Sequence, residues 1–155
     1  MSKVIQILAY EEGYKERPYI DTEGYPTVAC GIVIGPKDAP LANYQFTVPR
    51  NVGDIWMQRM VDEKKAQMSS RPTLVAALKQ CNPARADVLY SMAYQLGVDG
   101  LAAFKNTLVM ISVGNFEGAA EGMLSSLWAR QTPQRAKRHA QVMRSGNYDA
   151  YKGVI

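Results

Sequence analysis

Residues 12–27 read EGYKERPYIDTEGYPT and lie at a change of pattern along the chain. Before them, apolar residues recur at helical spacing up to Glu12, which indicates one helical face. Gly13 is the residue type that commonly ends a helix in a left-handed conformation. After it, runs of β-branched and aromatic residues flank the turn sequence at 21–24. The stretch predicts a helix that ends at Gly13 and an antiparallel hairpin that turns at 21–24.

The rest of the chain extends this pattern into a mainly helical α+β fold. At 155 residues the chain is long enough for one domain. We predict a small β lobe of two or three antiparallel strands over 13–50, with a proline-rich loop at 35–50. A connecting helix follows over 51–70. The helical lobe consists of 1–12 and 71–155.

Caps and apolar spacing predict the helix boundaries. Ser2 is predicted to cap the first helix, and the connecting helix is predicted to have its apolar side at Ile55, Trp56, Met60 and Val61. The helices that follow are predicted from Asn82-Pro83 to Gly97, from an Asn106 cap to Val113, from Phe116 to Leu127, and from Thr132-Pro133 to Gly146.

Composition and charge exclude several classes of protein. Hydrophobic residues make up 47% and charged residues 21%, as in ordinary globular proteins. The net charge is +4, and the basic excess lies from Trp128 onward. That segment has neither interleaved aromatic residues nor a known DNA-binding motif, so we expect no nucleic-acid partner. No apolar run approaches the roughly 18 residues of a membrane span, so we expect no membrane insertion.

Cysteine and histidine content argues against disulfides and metal sites. Cys30 and Cys81 are far apart in sequence, and we expect both to be free thiols. For Cys30 a small buried hydrophobe is favoured over a redox role. His139 is the sole histidine, so we expect no metal and no cofactor. The first residues lack the long apolar run of a secretory signal, which predicts a protein made and folded in a cytoplasm.

Three residues near the quoted stretch are candidates for chemistry. Glu12 lies on the apolar side of the first helix, in its last turn, where desolvation and the helix dipole favour the protonated acid. A general acid requires that form. Taken alone, Glu12 also fits a solvated helix end, Asp21 an Asx-turn residue, and Thr27 an ordinary strand residue.

Several segments in fixed order resemble the T-even phage-type lysozymes, which are glycoside hydrolases of the lysozyme superfamily. The resemblance covers residues 1–34 and 82–152, and is weak over 35–80, where this chain is shorter. Its segments are Glu12-Gly13, Asp21 to Thr27, Tyr94 to Gly97, Phe104 to Leu108, Trp128 to Arg138 and Asp149 to Lys152.

The resemblance implies a lysozyme-like fold and a catalytic role for each of the three residues. Glu12 matches the general acid, Asp21 the second carboxylate, and Thr27 the hydroxyl that helps to position the attacking water. The implied reaction is inverting hydrolysis of the β-1,4 bond between N-acetylmuramic acid and N-acetylglucosamine in peptidoglycan. Inversion predicts carboxyl groups roughly 6.5–9.5 Å apart, which leaves room for a water.

The resemblance also implies residues that bind substrate or support the site. Val33, Tyr94 and Thr107 match sugar-contacting positions, and Gln95 is expected beside them. Arg135 and Arg138 share a face of the last helix.

The two arginines are expected to pair with Glu11 and Glu12, joined by Tyr151, as active-site support. That pairing would favour the ionised form of Glu12 and oppose desolvation, and the sequence leaves the balance open. A solvated basic face is the alternative for the arginines.

Two departures from the family pattern affect the predicted site. The family's Gly-Ile-Gly-His is replaced by Ala29-Cys30-Gly31-Ile32, so an ion pair of that histidine cannot form. We expect this change to affect stability rather than catalysis. A sugar-contacting asparagine is replaced by Gly122. Trp128 matches a buried tryptophan and is predicted to lie in the core.

The overall prediction is an endolysin that acts on peptidoglycan glycan strands and causes host cell lysis. We expect a monomer that, without a secretory signal, accumulates in the host bacterial cytoplasm, and the family implies that a holin is needed for its release to the wall. Two alternatives stand beside it. One is a lysozyme domain of an entry apparatus or a toxin. The other is a non-catalytic peptidoglycan-binding or structural relative of the fold.

Overall fold

The computed structural model describes residues 1–155 and has the predicted α+β fold. Eight α-helices accompany a three-stranded antiparallel sheet and two short 3-10 helices. No helix has both the length and the apolar character needed to cross a bilayer. The elements are α1 (Val4–Glu12), β1 (Lys15–Ile20), β2 (Pro26–Ala29), β3 (Ile32–Val33), a 3-10 helix (Leu41–Asn43), α2 (Arg50–Met68), α3 (Pro72–Lys79), α4 (Pro83–Ala102), α5 (Lys105–Ser112), α6 (Phe116–Leu124), α7 (Leu127–Gln131), α8 (Pro133–Ser145) and a 3-10 helix (Asp149–Tyr151).

The chain divides into two compact units. The small unit comprises Ile5–Arg59, and the large unit comprises Met1–Val4 together with Met60–Ile155. The small unit contains the sheet, and the large unit contains α3 to α8.

In the small unit the strands follow the order β1-β2-β3. Tyr19 on β1 and Val33 on β3 are both register partners of Thr27 on the central strand. Side chains on alternate strand positions share a face, so these three form one row across the sheet. The predicted hairpin turn is confirmed at residues 21–24, where the Gly24 N–H donates to the Asp21 carbonyl at 3.1 Å.

The loop after β3 is irregular, as predicted, except for the 3-10 turn at Leu41–Asn43. Its far end lies along β1, because the Val48 N–H donates to the Glu16 carbonyl at 2.8 Å. The Tyr14 hydroxyl adds bonds to the Val48 and Pro49 carbonyls at 2.7 and 2.9 Å. These bonds hold the loop to the sheet.

The helix predicted at 51–70 is confirmed as α2, but its predicted apolar side is only partly correct. Ile55 is 72% exposed, while Met57 and Val61 are fully buried. Gly53 is buried as well, so the buried positions recur at a spacing of four residues. A side chain at Gly53 would strike the Tyr14 phenol. Glycine is therefore required at position 53 on the packed side of α2. Because glycine is not counted as hydrophobic, the periodicity of the sequence does not reveal that this side is buried.

In the large unit the predicted starts of α4 and α8 are confirmed, and one predicted cap is wrong. The Asn82 side chain accepts the Arg85 N–H at the start of α4. Gly97 adopts φ 77° and breaks the helical dihedrals, yet helix resumes to Ala102. Asn106 is not a cap, because α5 begins one residue earlier, at Lys105. The helix predicted from Phe116 to Leu127 is two helices, α6 and α7, separated by a break at 125–126.

A buried carboxylate on α4 fixes the first residues of the chain. Asp87 accepts hydrogen bonds from the Ser2 hydroxyl at 2.6 Å, the Lys3 N–H at 2.7 Å and the Tyr148 hydroxyl. The Ser2 hydroxyl also accepts the Val4 N–H at 3.3 Å, as predicted for a cap. Three donors offset the desolvation of this buried charge.

Candidate active site

Glu12 is the last residue of α1, and its carboxylate lies over the turn between β2 and β3. The helix ends there because Gly13 adopts φ 71°. A Cβ added to Gly31 would come within 3.1 Å of Glu12 Oε2. Gly31 also has φ 71°, a conformation that favours glycine. The backbone therefore favours glycine at position 31, and a side chain there would crowd the Glu12 carboxylate.

Asp21 directly follows β1, and its side chain organises the hairpin turn. Oδ1 accepts the Glu23 N–H at 2.9 Å and the Tyr25 N–H at 2.8 Å. This is the Asx-turn geometry. Oδ2 is the oxygen that the turn leaves available. Asp21 can therefore hold the turn through Oδ1 and still take part in chemistry through Oδ2.

Tyr19 connects the candidate residues of the small unit. Burial raises the pKa of the Tyr19 phenol, and the negative charges of Asp21 and Glu12 raise it further. Its register partner across the sheet is Thr27. Both candidate carboxylates and the candidate hydroxyl therefore lie around one tyrosine.

Thr27 is 2% exposed, and its hydroxyl has a defined orientation. Oγ1 donates to the Tyr25 carbonyl at 2.9 Å. With its proton used in this way, the oxygen presents lone pairs to any further partner. Val33, the Thr27 partner on β3, is 52% exposed and is accessible to a ligand.

Cys30 lies in the turn beneath Glu12 and is fully buried. Burial raises the pKa of its thiol to about 11, with smaller contributions from nearby charges. The thiol is therefore protonated at neutral pH and unreactive. Both cysteines are free, as predicted, and Cys30 has the character of a small buried hydrophobe.

In the large unit, Trp128 is buried as predicted and holds Gln95 in place. The indole Nε1 donates to Gln95 Oε1 at 2.8 Å. The ring also packs edge-to-face on Phe104, with centroids 6.0 Å apart. Tyr94, which precedes Gln95 on α4, is half-buried. The sugar-binding roles of Tyr94 and Gln95 stay predictions.

Thr107 is buried on α5, where the absence of a side chain at Gly122 makes room for its hydroxyl. A Cβ at position 122 would lie 2.7 Å from Thr107 Oγ1. The asparagine of the family pattern would need a different arrangement here. The Thr107 hydroxyl therefore lies in the space that the missing side chain at Gly122 leaves open.

Arg135 belongs to a buried polar network rather than to a solvated basic face. It is 7% exposed, and Nη2 donates to Ser91 Oγ at 3.0 Å. Ser91 Oγ lies 2.8 Å from His139 Nε2, and the Tyr151 hydroxyl lies 2.8 Å from His139 Nδ1.

Arg138, on the same helix, is half-buried. The predicted pairing of the two arginines with Glu11 and Glu12 stays a prediction.

Burial lowers the pKa of His139 well below 6.5, and the charges of Arg135 and Arg138 lower it further. The imidazole is therefore neutral at pH 7. No group of three or more His, Cys, Asp or Glu side chains is arranged to hold a metal ion.

Sequence reasoning did not identify Tyr19, Gly31, Ser91 and His139 as parts of these sites. Tyr19 had a usable signal, because it lies two residues before Asp21, near the end of the strand that leads into the turn. Gly31 is the glycine that the altered turn retains from the family pattern. Ser91 and His139 carry no local signal, since only tertiary packing brings α4 and α8 together.

Comparison with known proteins found no matching family model, but it found related sequences. "Probable T4-type lysozyme 1" of Dictyostelium discoideum is 27% identical over 169 aligned residues, covering 98% of this chain and 99% of the relative. "Pre-baseplate central spike protein Gp5" of Enterobacteria phage T4 is 29% identical, covering 94% of this chain and 28% of the relative.

A third relative is "Peptidoglycan hydrolase gp36" of Pseudomonas phage phiKMV. It is 30% identical over 88% of this chain and 14% of its own length. The first relative matches this chain along essentially its full length. With the α+β fold, these similarities confirm the resemblance that the motifs predicted: the chain is similar to T4-type lysozymes over its full length.

Proposed function

We propose that this protein is a lysozyme that hydrolyses the β-1,4 bond between N-acetylmuramic acid and N-acetylglucosamine in peptidoglycan. The observation that carries the proposal is the gathering of Glu12, Asp21 and Thr27 around Tyr19. A pair of carboxyl groups is what most glycoside hydrolases use. Relatives named as a lysozyme and as a peptidoglycan hydrolase support the same class of reaction.

In the proposed mechanism Glu12 is the general acid. Its position at the end of α1 points a carboxyl group over the β2–β3 turn, where Gly31 leaves it room. Protonation of the glycosidic oxygen by Glu12 allows the departing sugar to leave as a neutral alcohol.

Asp21 and Thr27 would hold the attacking water on the opposite face of the sugar. Thr27 Oγ1 already donates to the Tyr25 carbonyl, so it can accept one hydrogen of that water. Asp21 Oδ2 accepts the other and takes the proton as the water attacks the anomeric carbon. The turn bonds at Asp21 Oδ1 keep this carboxylate in place during the reaction.

A clearing assay tests the proposal. We expect the wild-type protein to reduce the turbidity of outer-membrane-permeabilised Gram-negative cells, and Glu12→Gln to lose at least about a hundredfold in rate. Glu16→Gln is the matched control, because Glu16 is an exposed β1 residue whose backbone carbonyl makes the structural bond to Val48. Equal clearing by wild type and Glu12→Gln would refute the assignment, and clearing by neither would favour the non-catalytic alternative.

We further propose that the activity serves host cell lysis, with release through a holin from the host cytoplasm. Production in Escherichia coli should then cause lysis only when a membrane-permeabilising holin is produced as well. Lysis without a holin would contradict this part. The similarity to the spike protein Gp5 keeps a role in phage penetration as the alternative.

A further inference from the structure

Tyr19 lies among the candidate catalytic residues of the small unit, and the proposed mechanism gives it no role. It belongs to β1 and is the register partner of Thr27 on β2. Partners on adjacent antiparallel strands direct their side chains to the same face of the sheet. Asp21 lies two residues beyond Tyr19, directly after β1. The hairpin therefore brings a phenol, a hydroxyl and a carboxylate close together.

The phenol hydroxyl of Tyr19 makes no hydrogen bond within the protein. Its ring is covered on one side, because the Lys15 ammonium lies 5.2 Å from the ring centroid. Thr27 differs, since its hydroxyl hydrogen is already bonded to the Tyr25 carbonyl. An ionised Asp21 carboxylate has no hydrogen to give. Of the phenol, the hydroxyl and the carboxylate, only the phenol can donate to a further partner.

The surroundings of Tyr19 keep this donor in its protonated form. Burial raises the pKa of the phenol, and the negative charges of Asp21 and Glu12 raise it further. A phenol whose pKa is raised above its ordinary value stays protonated throughout the neutral range. Tyr19 therefore does not act as a base, and its O–H group stays available as a hydrogen-bond donor.

The attacking water of the proposed mechanism has one position left for a donor. A water molecule has two hydrogens and two lone pairs. Its hydrogens are directed to Asp21 Oδ2 and Thr27 Oγ1, and one lone pair attacks the anomeric carbon. The second lone pair has no partner in that arrangement, so the water can still turn about its two hydrogen bonds. A third hydrogen bond, donated to this lone pair, would fix the direction of attack, and orientation of this kind raises the rate.

We propose that Tyr19 is a further catalytic residue, whose phenol O–H donates to the attacking water while Asp21 and Thr27 accept the hydrogens of that water. The inference rests on the proposed function, because it assumes hydrolysis by a water held on the hairpin. The phenol keeps its own proton throughout, and the proton that the water releases goes to Asp21. Tyr19 thus contributes orientation rather than proton transfer.

Tyr19→Phe tests this inference, because it removes the hydroxyl and leaves a ring that fills the same space. Tyr44→Phe is the matched control. Tyr44 is likewise a half-buried tyrosine of the small unit whose hydroxyl makes no hydrogen bond, and it lies in the loop after β3 rather than on the hairpin. The release of reducing ends from soluble peptidoglycan strands gives kcat and KM over a range of pH, and urea unfolding reports the stability of each variant.

We expect Tyr19→Phe to lower kcat by about tenfold to a hundredfold, because the attacking water loses a fixed orientation. KM should stay within about twofold of wild type, since the hydroxyl contacts the water rather than the sugar. The loss in kcat should be the same at every pH, because the phenol does not titrate in the neutral range. Tyr44→Phe should match wild type in both constants, and both variants should unfold at the wild-type urea midpoint.

Three results would overturn the proposal. Equal kcat in Tyr19→Phe and Tyr44→Phe would show that the Tyr19 hydroxyl takes no part in the reaction. A rise in KM without a loss in kcat would place that hydroxyl on the sugar. A shift of the acid limb of the pH profile by about one pH unit or more would show that it acts on a carboxyl group rather than on the water.

Wild type and Asp21→Asn, measured beside these variants, separate the role of Tyr19 from the proposed function. Hydrolysis by wild type, its loss in Asp21→Asn and full activity in Tyr19→Phe would overturn the role of Tyr19 and leave the proposed function intact. Failure of the wild type to release reducing ends would overturn the proposed function, and the role of Tyr19 with it.

Discussion

Gly31 illustrates how one residue serves both the backbone and the chemistry of the site. Its φ of 71° disfavours any side chain, and a Cβ there would come within 3.1 Å of Glu12 Oε2. These two constraints have different consequences. The first affects the free energy of unfolding, and the second affects the position of the proposed acid.

Gly31→Ala should therefore lower both stability and activity. Left-handed backbone costs a non-glycine residue about 1–2 kcal/mol, and displacement of Glu12 should reduce the hydrolytic rate by at least about tenfold. Gly114→Ala is the matched control, since Gly114 has φ 78° with open space around it. Urea unfolding should show similar losses in both variants, and only Gly31→Ala should lose activity. Full activity in Gly31→Ala would contradict the placement of Glu12.

Asp21 allows its turn role to be separated from its proposed chemical role. Asn at this position retains an oxygen that accepts the Glu23 and Tyr25 N–H groups. Asp21→Asn should therefore unfold within about 0.5 kcal/mol of wild type and lose at least about a hundredfold in hydrolytic rate. Asp21→Ala should also lose about 1–3 kcal/mol, because the turn bonds disappear. If Asp21→Asn keeps wild-type activity, Asp21 is a turn residue only.

At the scale of elements, α8 packs against α4 and the last 3-10 helix through a polar network. Ser91, His139 and Tyr151 are fully buried, and each has a hydrogen-bond partner. A buried imidazole in this setting resists protonation because burial and two neighbouring guanidinium groups disfavour a further positive charge. The network therefore requires a neutral histidine.

This requirement predicts a loss of stability in mild acid. Below pH 6.5 the unfolded chain binds a proton at His139 that the folded protein does not bind, so the free energy of unfolding falls by about 1.4 kcal/mol per pH unit. Between pH 7.5 and pH 5.0, wild type should lose more stability than His139→Gln, which cannot titrate, by up to about 2 kcal/mol. Urea unfolding of both proteins at the two pH values measures this difference. Equal losses would show that His139 is not held neutral.

The elements also show which features could be predicted from sequence. The ends at Gly13 and Gly146 and the start at Asn82 depend on local chemistry, and all three are confirmed. The apolar side of α2 was predicted only in part: Val61 is buried, but Ile55 is exposed because Gly53, which has no hydrophobic signal, lies on the packed face. Asn106 was wrong as a cap because α5 begins without any side-chain cap.

At the scale of the whole molecule, the distribution of charge differs between segments. The basic excess follows Trp128, yet Arg135 within that segment is buried and bonded to Ser91. A part of the excess therefore serves packing, which charge counts along the sequence do not reveal. The motifs, by contrast, were sufficient to predict the relationship to T4-type lysozymes, because they recur in order over most of the chain.

The central claim is that Glu12 and Asp21 act on opposite sides of one glycosidic bond with a water between them. The configuration of the new reducing end tests it most directly. Proton NMR during digestion of soluble peptidoglycan strands should show the α-anomer of N-acetylmuramic acid first, with the β-anomer growing only through mutarotation. Initial release of the β-anomer would show retention and would contradict the account.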